Sequence, residues 1–187
     1  MKTSLNDINK EYQAMNVKLT PSIKILERTP AVLKTLLQNL DETFVHVNEG
    51  AGTWSPYDVV GHLIVCEKIN FMERIRVLLS DQENKVFHPI DMTAQFEFSK
   101  DKSIEDLLKE FEQLRNANLM ELKSVNMTEG NMTRQAMHSK IGAVTVMNVF
   151  STWVAHDLTH IGQISRVMAK QYQEDIGPFI QYLTRLN

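Results

Sequence analysis

Cysteine is nearly absent from this sequence, since Cys66 is the only one among 187 residues. An internal disulfide is therefore excluded, and a reducing compartment such as the cytoplasm is the expected location. Seven glycines and five prolines lie mostly between long periodic segments, which disfavours a fold of repeated strands and turns. No apolar run approaches the length of a membrane span, so we expect neither a transmembrane segment nor a leader peptide.

The sequence also lacks a strong excess of either acidic or basic residues. The formal net charge is −3, and acidic and basic residues are scattered without a long basic run. This pattern argues against a nucleic-acid groove and favours a small-molecule substrate as the partner. A single domain over residues 1–187 is long enough to bury a substantial core, so a metal is not needed for folding. A homodimer formed through a helix face stays open.

The apolar spacing predicts an all-α fold, a four-helix bundle with short additional terminal helices. A capping signal at Ser55 opens one core helix, and a capping signal at Ser103 opens the next. Thr29 and Pro30 predict a fresh start inside the first core segment, because proline suits the first helical position. The predicted helices cover about 4–18, 21–40, 56–79, 103–123 and 143–171, with a last short helix after Gly177-Pro178 that packs Phe179, Tyr182, Leu183 and Leu186 against the bundle.

Three connections separate these helices, over residues 41–53, 80–102 and 124–142. The connection 80–102 is long enough to roof a pocket. On the helix 56–79 we expect an inner face that includes His62, Cys66, Ile69 and Glu73.

Two histidines, His156 and His160, stand four residues apart in a predicted helix, so both imidazoles project from one face and can reach a common point. The flanking apolar residues would make two unpaired imidazoles costly to bury unless something satisfies them. A tetrahedral metal needs at least one more protein ligand. His62, which lies in another apolar helix, is the best candidate, and three histidines would leave one metal position open, as catalytic sites do. Ordinary core histidines are the competing interpretation.

Four further residues are candidates for the pocket or for contacts with the ligands. Asp58, one turn before His62, could accept from its free ring nitrogen, although helix capping already explains this carboxylate. Cys66, one turn after His62, could supply a soft thiolate ligand, or could simply be a small core residue. Trp153 could form a pocket wall or belong to the core. Gln163, one turn beyond His160, could bind substrate or close the bundle end.

Asp157 stands where the zinc-protease motif HExxH has glutamate. It is rotated about 100 degrees from His156 on the helix and is shorter than glutamate. We therefore do not assign Asp157 as a general base, and expect a hydrogen bond or ion pair to a neighbouring helix.

Several short motifs together resemble the DinB-like superfamily, which includes YfiT-type proteins and thiol-transferase relatives. They extend over residues 22–185 and are Thr29-Pro-Ala-Val-Leu33, Trp54-Ser-Pro56 leading into Gly61-His62-Leu63, Gly142-Ala-Val-Thr145, Trp153-Val-Ala-His156-Asp-Leu-Thr-His160-Ile-Gly-Gln163 and Ile176-Gly-Pro-Phe179 with Tyr182-Leu183. The resemblance implies a four-helix bundle that holds a divalent metal, often zinc or nickel, on three histidines. These correspond to His62, His156 and His160.

The resemblance also implies chemistry with low-molecular-weight thiols, such as bacillithiol or mycothiol. Our leading hypothesis is therefore a metal-dependent S-transferase in which the open metal position accepts a thiol and activates it as thiolate. A metal-dependent small-molecule hydrolase that activates water is the rival enzyme, and Glu67 or Glu73 would then be the nearest candidates for an acid or base. A non-catalytic bundle that binds a metal or small ligand is the third alternative.

Overall fold

Four long helical segments build the molecule, and the short elements lie in their connections. The computed structural model describes residues 5–125 and 127–183, with side chains from residue 19 onward. In chain order the elements are α1 (Leu5–Leu37), α2 (Glu42–Val45), α3 (Pro56–Ile69), α4 (Phe71–Leu79), β1 (Val86–Phe87), α5 (Ala94–Ser99), α6 (Ile104–Ser124), α7 (Glu129–Met132), β2 (Gln135–His138), β3 (Gly142–Thr145), α8 (Val146–Lys170), α9 (Gln173–Ile176) and a 3₁₀ helix (Gly177–Tyr182).

The bundle consists of α1, α3 with its continuation α4, α6 and α8, so the predicted four-helix bundle is confirmed. Reciprocal capping boxes fix the starts of three of these helices. Ser55 and Asp58 bond each other's backbone N–H groups at α3, and Ser103 with Asp106 does the same at α6. Thr145 and Asn148 form the equivalent pair at α8. Each box satisfies backbone donors that a helix start otherwise leaves open.

The first helix is continuous, so the predicted separate helix over 4–18 and the fresh start at Pro30 are wrong; residue 4 lies outside the described residues. Pro30 has no N–H, so it cannot bond the carbonyl of Leu26 four residues earlier. The guanidinium of Arg115 on α6 replaces that donor, with Nη1 2.9 Å from the Leu26 oxygen. A contact from another helix therefore compensates for the proline inside α1.

The predicted helix 56–79 is divided at Asn70, whose backbone (φ −115°, ψ −90°) is not helical. This break changes which residues face inward after it. Ile69 is 47% exposed, and Glu73 pairs at the surface with Arg76, so both are absent from the expected inner face. His62 and Cys66, which precede the break, are buried as expected.

The connections contain more regular structure than the sequence predicts. Segment 41–53 contains α2, segment 80–102 contains β1 and α5, and segment 124–142 contains α7 and β2. A three-stranded sheet of order β1-β2-β3 pairs β1 parallel to β2 and β2 antiparallel to β3. Because β3 takes up residues 142–145, helix α8 begins at Val146, three residues later than predicted.

The C-terminal segment is regular but does not pack as predicted. Phe179 and Tyr182 are more than 70% exposed and Leu183 is also exposed, so the expected contact of these side chains with the bundle is wrong. Leu186 lies outside the described residues.

A layer of buried polar residues lies between two apolar parts of the core. On α1, for example, Leu26 belongs to one apolar cluster and Leu33 to the other. The layer takes one residue from each bundle helix, namely Thr29 on α1, Glu67 on α3, Arg115 on α6 and Asp157 on α8. Within residues 5–125 and 127–183, no helix is sufficiently long and apolar to cross a membrane.

Candidate metal centre

Three imidazoles from two helices meet beside this polar layer. His62 on α3 and His156 on α8 are 94 positions apart in the chain, yet their Nε2 atoms are 3.1 Å apart. The Nε2 of His160, one turn further along α8, is also 3.1 Å from the Nε2 of His156. The structure thus brings His62 and His160 to either side of the His156 Nε2.

Hydrogen bonding among neutral imidazoles does not readily satisfy this arrangement. A ring nitrogen carries either a proton or an in-plane lone pair, so the Nε2 of His156 either donates or accepts. Gln163 Oε1 lies 2.8 Å from the Nδ1 of His160. In the tautomer whose Nδ1–H donates to this oxygen, the His160 Nε2 has a lone pair. If His156 donates, its one proton is shared between two neighbours; if it accepts from His62, its lone pair faces the lone pair of His160. A cation at their common point would satisfy all three lone pairs.

The spacing also fits a metal. Two nitrogens that each lie about 2.0–2.1 Å from a tetrahedral zinc are roughly 3.3–3.4 Å apart. The observed Nε2 separations of 3.1 Å are slightly shorter than this. Small outward shifts of the side chains would therefore suffice.

Burial keeps the imidazoles neutral, which is the form that binds metals. Burial, with a smaller contribution from the charge of His160, lowers the pKa of His62 to about 4. Burial and the charges of His160, His62 and Arg115 lower the pKa of His156 to about 3. Burial also lowers the pKa of His160, although the hydrogen bond to Gln163 and the charge of Asp157 oppose it.

The residues predicted to support the ligands are placed differently. Gln163 fixes the tautomer and ring orientation of His160. Asp58 bonds Ser55 in the capping box, and the Nδ1 atoms of His62 and His156 are buried without a hydrogen-bond partner among the described residues. Cys66 lies in the centre, with Sγ 3.5 Å from the Nε2 of His62.

Aromatic rings line the imidazoles on two sides. Trp54 has its ring centroid 4.8 Å from that of His62 and stacks on His160 at 6.2 Å. Phe71 meets the ring of His156 edge-on at 5.1 Å. Trp153 is fully buried behind Phe71, stacked on it at 5.6 Å, so it belongs to the core rather than to the immediate wall.

The carboxylates of Glu67 and Asp157, which directly follow Cys66 and His156 in the chain, belong to the buried polar layer. Arg115 donates to Asp157 through Nη1 (2.6 Å) and Nη2 (3.0 Å), and to Glu67 through Nη2 (2.8 Å). Trp153 Nε1 and Asn118 Nδ2 also donate to Glu67, and Thr29 Oγ1 donates to Asp157. The expected ion pair of Asp157 with a neighbouring helix is therefore observed.

Arg115 remains charged despite complete burial. Burial alone would lower its pKa, but the carboxylates of Glu67 and Asp157 outweigh burial and raise it. Arg115 is not among the residues that the sequence predicted for the site. Its signal is an arginine four residues after Phe111 and four before Leu119, within the apolar stripe of α6.

The sequence matches the DinB superfamily over residues 25–164. YfiT from Bacillus subtilis, described as a probable metal-dependent hydrolase with an unusual four-helix bundle topology, has a similar structure with a TM-score of 0.69 and 22% sequence identity, covering 92% of this chain and 91% of YfiT. The four-helix bundle protein TT2238 has a TM-score of 0.53 and 18% identity, covering 78% of this chain and 97% of TT2238. No curated protein sequence matches the chain.

Proposed function

The chain belongs to the DinB superfamily, and on this premise we propose that it is a divalent-metal-dependent enzyme that transfers a low-molecular-weight thiol to an electrophilic small molecule. His62, His156 and His160 would hold the cation, with zinc and nickel as the leading candidates. The observation that carries the proposal is the position of His156, whose Nε2 lies 3.1 Å from the Nε2 of both His62 and His160; His62 is buried and the other two imidazoles are partly buried.

A divalent cation held by His62, His156 and His160 would activate the thiol cosubstrate, since it would lower the thiol pKa so that thiolate forms near neutral pH. Other residues of the chain orient the imidazoles and pack against them. Gln163 keeps the lone pair of the His160 Nε2 directed at the other imidazoles. Trp54 and Phe71 present apolar surface against the rings and exclude water from two sides.

Transfer of a thiol suits this site because it needs no protein base. Glu67 follows Cys66 in the chain and Asp157 follows His156, but both carboxylates already bind Arg115 in the buried layer. Neither is free to accept a proton from water or to protonate a leaving group. The side chain of Glu73, the other candidate, is 52% exposed and paired with Arg76.

A metal-dependent hydrolase is the second candidate, favoured by the structural similarity to YfiT. The same imidazoles would hold a cation that activates water. Product analysis with and without added thiol separates the two activities, because a hydrolase forms product without thiol and an S-transferase forms a thioether or thioester.

The test uses protein purified without a histidine tag, assayed for metal content and for consumption of a generic electrophile with a thiol cosubstrate. We expect His156→Ala to lose both the bound metal and the thiol-dependent rate. His46→Ala is the matched control, because His46 is an exposed histidine paired with Glu42 on α2. A rate unchanged by His156→Ala would refute the proposal.

A further inference from the structure

Cys66 lies close enough to the imidazoles to share their cation. Its Sγ is 3.5 Å from the Nε2 of His62 and 3.9 Å from the Nε2 of His156. The potential ligand atoms of these three residues all lie within 4.8 Å of one another. We propose that the Cys66 thiolate is a fourth protein ligand of the metal. The inference rests on the metal site of the proposed function and adds one sulfur to its nitrogen donors.

The distances fit shared coordination. With zinc–nitrogen bonds of about 2.0–2.1 Å and a zinc–sulfur bond of about 2.3 Å, a tetrahedral site separates sulfur from nitrogen by roughly 3.5–3.6 Å. The separation from His62 has this length, and that from His156 is slightly longer. Cys66 follows His62 by four residues on α3, so this helix presents both donors to the face that meets His156.

A second buried side chain is directed at the sulfur. Asn70, at the break between α3 and α4, points its Nδ2 at Sγ over 3.7 Å, and its residue is only 7% exposed. An amide N–H donor stabilises a thiolate acceptor, but burial outweighs it and raises the pKa of Cys66 to about 12, so the metal would have to supply most of the stabilisation of a thiolate. The Oδ1 of Asn70 is buried without a partner among the described residues, so this amide gains few other hydrogen bonds in its position.

Metal coordination and a simple hydrogen bond require different protonation states of the Cys66 sulfur. In a hydrogen bond, Cys66 keeps its proton and donates S–H to the Nε2 of His62. In coordination, the S–H bond breaks, the proton passes to solvent, and a sulfur–metal bond forms. Four protein ligands would also leave an incoming thiol to enter as a fifth ligand or to replace one of them. A thiolate in the donor set favours soft ions such as zinc over magnesium or manganese.

Cobalt(II) distinguishes these two arrangements, because a thiolate bound to cobalt gives an intense charge-transfer absorption in the near ultraviolet. The metal-free wild-type protein, in buffer without thiol reductants, is titrated with Co²⁺ alone. Cys66 is the only cysteine, so any such band is assigned without further mapping. We expect the band at one equivalent of Co²⁺, its loss in Cys66→Ser, and at least a tenfold weaker Co²⁺ affinity in that variant. His46→Ala should keep the band.

Each outcome decides the inference. Stoichiometric Co²⁺ binding without the charge-transfer band in the wild type would overturn the fourth ligand while leaving the proposed three-histidine site intact. Failure to bind Co²⁺ at all, in protein shown to be folded by circular dichroism, would refute the proposed function and this inference together. Because the wild-type spectrum is decisive alone, misfolding of Cys66→Ser would not prevent the test.

Discussion

Arg115 and Asp157 form a two-pronged ion pair in which neither side chain has any exposed surface. The pair joins α6 to α8 directly beside His156. Glu67 occupies the remaining side of the same guanidinium, so one arginine balances two carboxylates in the core. Removing the Arg115 guanidinium would leave the carboxylates of Glu67 and Asp157 buried without a counter-charge.

We expect Arg115→Met to lower the free energy of unfolding by about 3–5 kcal/mol, because breaking a buried pair leaves an uncompensated charge. Arg76→Met is the control, since Arg76 pairs with Glu121 at the surface and such pairs contribute about 0–1 kcal/mol. Urea unfolding followed by circular dichroism measures both. Equal, small losses in the two variants would contradict this account of the polar layer.

Gln163→Ala should weaken metal binding about 10- to 100-fold, because His160 would lose the acceptor that fixes its tautomer. Stability should change little, since Gln163 is partly exposed. Gln171→Ala is the matched control, because the amide of Gln171 donates to the Phe44 carbonyl at the end of α8. Competition with a chromophoric chelator measures the affinities. Similar affinities in the two variants would remove Gln163 from the site.

Acid should destabilise the metal-free protein. Burial lowers the pKa of His62 to about 4 and that of His156 to about 3, whereas both values return towards 6.5 in the unfolded chain. Between these values the unfolded chain binds protons that the folded chain does not, so the free energy of unfolding falls as the pH drops from about 6.5 towards 4. Urea unfolding across this range measures the slope.

The control for this slope is His46→Ala, which removes an exposed histidine and should retain it. His62→Leu should show a shallower slope, because one buried imidazole no longer titrates on unfolding. A metal-free wild type whose stability is constant or rises towards pH 4 would show that the imidazoles do not resist protonation in the fold.

Gly61→Ala should destabilise the protein by about 1–3 kcal/mol through overpacking. A Cβ at this position would lie 2.2 Å from the Ser99 Oγ, where α3 and α5 pack closely. Gly162→Ala is the control, since nothing lies within 4 Å of a Cβ there and alanine favours a helix by up to about 1 kcal/mol. Thermal unfolding should therefore shift in opposite directions for the two variants.

The bundle was predictable because its helices carry periodic apolar residues and explicit capping signals at Ser55 and Ser103. The i,i+4 spacing also predicted that His156 and His160 share a face, and the need for a third ligand from another apolar helix pointed to His62.

Other features depend on tertiary contacts that no local pattern contains. A proline inside a helix normally kinks or ends it, and the donor from Arg115 to the Leu26 carbonyl compensates for the N–H that Pro30 lacks. The break at Asn70 has no proline or glycine to mark it, so the exposure of Ile69 and Glu73 could not be read from periodicity. The short strands β1 and β2 offer too few residues for an alternating pattern to be recognised.

The continuity of α1 through Pro30 depends on a contact from another helix, not on the α1 segment alone. Synthesised as a separate peptide, residues 19–40 should be interrupted near Leu26, since the carbonyl there would bond only to solvent. The Arg115 guanidinium, which donates to the Leu26 carbonyl of α1, also donates to Asp157, the residue after His156. One arginine therefore connects the helix around Pro30 to the residue next to His156.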